Sequence, residues 1–114
     1  MDKIAEQSLL YDLYGGLLTE KKRSVLELYH EENLSLSEIA EEQGISRAAV
    51  HDALKSAERN LAEYEERLGL AKDYRNRQKT VAGLRREISD ILSKSDASKA
   101  QVSKIEELLS LLED

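Results

Sequence analysis

The residues best suited to chemistry lie in one stretch, Ser46-Arg47-Ala48-Ala49-Val50-His51-Asp52-Ala53-Leu54-Lys55-Ser56-Ala57-Glu58-Arg59. On a helix, Val50, Leu54 and Ala57 share one side. Ala48, Asp52, Lys55 and Arg59 then share the opposite side, with His51 and Ser56 on its flanks. Ser46 and Arg47 fall at the helix start. Cationic groups so placed suit phosphate oxygens and the acceptor edge of guanine, and the His51 imidazole can donate to either. Upstream, Lys21, Lys22 and Arg23 are placed to add backbone contacts. This chemistry is recognition, not bond-making. The chain has no cysteine and only two histidines, His30 and His51, too few for thiol catalysis or a metal cage. No nucleophile, metal-ligand or phosphate-loop constellation is present, and Glu63, Glu65 and Glu66 read as surface. Neither an enzyme nor a cofactor is expected.

Such a row needs a helix held by its other side against a second helix. The segment Leu36-Ser37-Glu38-Ile39-Ala40-Glu41-Glu42-Gln43-Gly44-Ile45-Ser46-Arg47-Ala48-Ala49-Val50 meets the packing demands of a helix-turn-helix. Ala40 lets two crossing helices approach, and Gly44 supplies a left-handed turn. Ile39, Ile45 and Val50 fill the wedge between them. Two positions depart from the common pattern: Gln43 is polar, and the small Ala53 precedes the large Leu54. The shift resembles the unit in the promoter-reading domain of sigma factors.

The remaining elements follow from apolar periodicity. A first helix is expected from about Asp2 to Gly15-Gly16, with Leu10, Tyr11, Tyr14 and Leu17 as its stripe. Thr19 caps the next, which carries Val25, Leu26, Leu28 and Tyr29. Ser37 is placed to cap the helix that Gly44 stops, and Ser46 caps the one after it. That long helix spans about Arg47 to Leu68, and Val50, Leu54, Ala57, Leu61, Tyr64 and Leu68 make a heptad seam along it. Gly69 breaks it. A further helix runs from about Lys72 to Ser93 with Tyr74, Val81, Leu84, Ile88 and Ile91 on one stripe. A last one, capped by Asp96 or Ser98, carries Val102, Ile105, Leu109 and Leu112. With no proline, 4% aromatics and no alternating β-branched run, the fold class is all-α. The 114 residues divide into a helix-turn-helix domain, 1–70, and a helical extension, 71–114, for dimer or partner contacts. No apolar stretch is long enough for a membrane span, and the cytoplasm is the expected compartment.

Electrostatics restrain the reading. The chain holds 17 basic and 23 acidic residues, a net charge of −6. Residues 1–45 carry a net −6, residues 46–94 a net +3, and residues 95–114 a net −3. Glu38, Glu41 and Glu42 must point away from any phosphate. DNA affinity is therefore expected to be modest per subunit and to gain from two copies. The basic run Lys72, Arg75, Arg77, Lys79, Arg85 and Arg86 reads as a solvated helix face. Three long apolar stripes exceed what so small a monomer buries, so a homodimer is expected.

With these residues assembled, the sequence resembles the YlxM family of small bacterial helix-turn-helix proteins. The stretches that carry the resemblance are Tyr11-Asp12-Leu13-Tyr14, Leu17-Leu18-Thr19-Glu20-Lys21, Leu26-Glu27-Leu28-Tyr29, Leu36 to Glu42, Ile45 to Val50 and Glu63 to Leu70. It covers about residues 8 to 72, and Gly15-Gly16 departs from the non-glycine pair expected there. The resemblance implies a cytoplasmic DNA-binding regulator with a sigma-like helix-turn-helix. It also implies a role, and a possible protein partner, in the signal recognition particle pathway, near whose genes such proteins are encoded. The alternative is a helical adaptor for protein or RNA with a degenerate helix-turn-helix.

Overall fold

The computed structural model describes residues 3–113. The elements are α1 (Lys3–Tyr14), a 3-10 turn (Gly15–Leu17), α2 (Glu20–His30), α3 (Leu36–Gln43), α4 (Arg47–Leu68), α5 (Leu70–Ser93) and α6 (Lys99–Leu112). The fold is all-α, with no strand among the described residues. Asp2, the expected start of the first helix, lies outside them. The chain forms two compact units, Met1–Ala71 and Lys72–Asp114.

In the first unit, short capping residues set the helix boundaries. The Thr19 hydroxyl accepts from the Lys22 N–H at 3.3 Å, and Ser46 accepts from the Ala49 N–H at 3.0 Å. For α3 the cap is Ser35 rather than Ser37. Its hydroxyl accepts from the Glu38 N–H at 3.1 Å while the Glu38 carboxylate accepts from the Ser35 N–H at 3.0 Å. Two otherwise orphaned donors are satisfied at once, an arrangement for which Ser37, already in the first turn, lacks the spacing. Gly44 and Gly69 end α3 and α4 with φ of 68° and 65°, in the left-handed region where a Cβ is costly.

Helix α4 packs on α1, α2 and α3. Val50, Leu54, Ala57 and Leu61 are buried together with Leu10, Tyr14, Leu18, Val25, Leu26, Leu28 and Ile39. The heptad seam is thus used inside the chain as far as Leu61, and not kept for a second copy. Leu68, at its far end, is 55% exposed. Leu17, expected on the stripe of α1, is instead 58% exposed, and Leu18 enters the core. The cause is the tighter 3-10 turn, which shifts the facing residue by about one position. Gly15 is needed there for closeness: a Cβ on it would stand 2.9 Å from the Tyr11 ring.

Polar ties join the same helices. The Tyr11 hydroxyl donates to Glu27 across α1 and α2. Burial first, and the Glu27 carboxylate second, push the Tyr11 phenol up to about 12. The Tyr14 hydroxyl donates to Glu65 Oε1 at 2.7 Å and accepts the Leu70 N–H at 3.0 Å. Glu65 also accepts the Ala71 N–H at 2.9 Å. Glu65 is therefore no plain surface residue: with Tyr14 it satisfies the opening N–H groups of α5, which begins two residues before the expected Lys72. Tyr64 packs its ring on Tyr14, with centroids 5.9 Å apart.

In the second unit, α5 and α6 form an antiparallel hairpin. Arg85 reaches Glu106 at 2.6 Å and Glu113 at 3.0 Å, while Leu92, nearer the connection, lies beside Gln101 and Ile105. Ser98, not Asp96, caps α6 through a reciprocal pair with Gln101. Arg85 is thus a link between helices and not part of a solvated face.

Replacing Leu61, which is fully buried, by Ala should destabilise the fold by about 2–5 kcal/mol in urea unfolding. Gly44→Ala should cost about 1–2 kcal/mol and Gly44→Asn less, since an added Cβ meets nothing there and the cost is conformational.

Candidate nucleic-acid interface

The burial of Val50, Leu54 and Ala57 leaves the other side of α4 in solvent. Ser46, Arg47, Ala48, His51, Asp52, Lys55 and Arg59 are all exposed, and Ser56 is half-buried at the edge. The row is continuous along the helix from its first turn to its fourth. Leu36, at the start of α3, joins Arg47, Ala48, His51 and Asp52 around a shallow notch. The first turns of α4 thus present a convex row with a shallow concavity beside it.

Not every upstream cation is equally available. Lys21 is exposed, whereas Lys22 is half-buried and its ammonium holds Asn60 Oδ1 of α4 at 2.8 Å. The structure therefore gives Lys22 a positioning contact between α2 and α4 that spacing alone does not suggest. Within the row, His51 Nδ1 stands 3.7 Å from Asp52 and Lys55 Nζ 3.9 Å from Glu58. Glu58 also lies 4.0 Å from His30 Nε2. Such exposed pairs are weak and exchange readily for another anion.

The start of α4 adds a polar contribution. Its first N–H groups carry the positive end of the helix dipole, with Arg47 beside them. Ser46 spends an acceptor lone pair on the Ala49 N–H, and its own hydrogen can still be donated outward. On α3 the three carboxylates Glu38, Glu41 and Glu42 are exposed. Hydrogen bonds from the Ser35 backbone and then its hydroxyl hold Glu38 below the ordinary carboxylate range, so it stays ionised as part of the cap.

A short helix, a glycine corner and a long helix with an exposed, cation-bearing outer side define a helix-turn-helix protein. The family model described as "Putative helix-turn-helix protein, YlxM / p13 like" (UPF0122) matches residues 1–106. UPF0122 proteins of Bacillus cereus (strain AH187), Bacillus anthracis (strain A0248) and Bacillus thuringiensis subsp. konkukian (strain 97-27) are each 43% identical to the chain over 108 residues. The alignments cover 95% of this chain and 98% of theirs. The chain belongs to this family. The match extends well past residues 8–72, through α5 and into α6. No helix of the described residues is long and apolar enough to cross a membrane.

The depressed Glu38 carboxyl makes α3 acid-sensitive. Its contribution is present above the unfolded-state value and is lost as pH falls through the folded one. A carboxyl titration followed by NMR should find Glu38 below the ordinary range, and Ser35→Ala, which removes the hydroxyl but keeps the backbone N–H, should raise it only part of the way back; a Glu38 that titrates in the ordinary range in the unsubstituted chain would refute the cap.

Proposed function

We propose that the chain is a DNA-binding regulatory protein that reads a groove with α4. Arg47, Lys55 and Arg59 hold phosphate or guanine, Ser46 and His51 donate to base edges or phosphate, and Ala48, Asp52 and Ser56 shape the contact. Lys21 adds a backbone contact at one side, and Lys22 acts there by way of Asn60. The observation that carries the reading is the exposure of this row on the side of α4 opposite its buried seam. The acidic balance of the chain makes each subunit a modest binder, so the working form is a pair of copies on two half-sites. The proposed setting is the cytoplasm and, by family resemblance alone, the regulation of signal recognition particle components.

A second reading has its own support. Residues 1–45 carry a net −6, and Glu38, Glu41 and Glu42 are exposed on the motif's first helix. An adaptor that meets a basic protein or an RNA-protein surface with α3 would use that charge.

Selection from a random DNA pool should enrich a site, and Lys55→Ala with Arg59→Ala should weaken binding and reduce the salt slope by about 1–2. Failure to enrich any sequence, together with a binding curve indifferent to both substitutions, would remove α4 from the interface and favour the adaptor.

A further inference from the structure

Asp52 and Glu58 both stand near the cations of the α4 row, but they are held differently. The Asp52 side chain is 85% exposed, with His51 Nδ1 3.7 Å away. Glu58 is only 32% exposed and lies between groups on two helices. Lys55 Nζ, one turn earlier on α4, is 3.9 Å from its carboxylate, and His30 Nε2, at the end of α2, is 4.0 Å from it. The imidazole is itself braced, since the Tyr29 ring meets it edge-on with centroids 5.1 Å apart.

Helical geometry says which of these groups an incoming anion meets first. At about 100° per residue, Glu58 is rotated about 80° from the buried Val50 and Lys55 about 140°. The carboxylate therefore sits on the shoulder of α4 towards α2, inside the ammonium that it faces. Both contacts are longer than a hydrogen bond, so charge and not a fixed geometry holds Glu58 in place. There is also room for it to move. Glu58, Lys55, His30 and Ser35 share an open groove of about 670 Å³. A carboxylate that leaves Lys55 stays beside His30, a polar partner, and is not stranded against apolar surface.

We propose that Glu58 sets the DNA affinity of the α4 row: its carboxylate neutralises Lys55 in the free chain, and a backbone phosphate must displace it to take that ammonium. The inference rests on the DNA-binding reading of α4 and adds the residue that regulates it. Glu58 is a positioning residue, because it acts through Lys55. An exposed pair of this kind is worth a factor of roughly 1.4 to 5 in an equilibrium, enough to tune binding without abolishing it.

The test is a double-mutant cycle on the full chain, read by fluorescence anisotropy of a labelled mixed-sequence duplex at low salt. Glu58→Gln keeps the length and polarity of the side chain and should raise affinity about 2- to 5-fold. In a Lys55→Met chain the same change should leave affinity unaltered, which is the signature of action through Lys55. A damaged fold loses affinity and so cannot imitate the gain. Circular dichroism checks helicity, and Glu58→Ala, with the same direction expected, replaces Glu58→Gln if that chain unfolds. Equal affinity of the wild-type and Glu58→Gln chains overturns the inference and leaves the reading of α4 standing. So does a gain that persists in the Lys55→Met chain, since it reports only the loss of a general repulsion. If neither the wild-type chain nor any variant binds the duplex, the DNA-binding reading fails and the inference with it.

Discussion

The rotation of α4 about its own axis is the constraint on which the candidate site depends. Val50, Leu54, Ala57 and Leu61 lie on one side of the helix and are buried by α1, α2 and α3. A helix held by four large contacts along about 17 Å cannot turn without exposing apolar surface at roughly 25 cal/mol per Å². Its opposite side is thereby committed to solvent, and Arg47, His51, Lys55 and Arg59 stand on it. The candidate row owes its placement to the core behind it more than to any contact of its own.

The small polar ties complete that placement. Ser35 and Glu38 define where α3 starts, Gly44 turns the chain, and Ser46 begins α4, so the two motif helices are closed at both junctions. Tyr14 and Glu65 act at the other end of α4, where their oxygens take up the first N–H groups of α5. The shared carboxylate couples α1, α4 and α5 within the first unit. Lys22 acts likewise between α2 and α4. A substitution at any of these positions is expected to shift α4 without touching its outer surface.

Charge accounts for the modest affinity expected of a single chain. The outer side of α4 has cations, but Asp52 and Glu58 lie among them and α3 is acidic. Under the proposed function, attraction to a phosphate backbone would therefore be local and short-ranged, and selectivity would come from fit as much as from counterion release.

Much of this was legible in residue order, because local rules decide it. Helix-favouring composition, glycines at 44 and 69, and the capping residues Thr19 and Ser46 place the helices of the first unit to within a residue or two. The opposition of Val50, Leu54 and Ala57 to Lys55 and Arg59 follows from helical periodicity alone. What residue order left open depended on which neighbour, near or distant in the chain, a side chain meets. Ser35 rather than Ser37 caps α3 because Glu38 reaches back to it, and Leu18 displaces Leu17 from the core because Gly15 lets the turn tighten under Tyr11. Glu65 looks like one more surface carboxylate until Tyr14, 51 positions away, donates to it. The heptad seam has the pattern of a dimer interface, yet tertiary packing spends most of it within the chain. Periodicity determines which residues share a face; only the assembled fold decides what that face meets, because burial is a property of neighbours and not of sequence spacing.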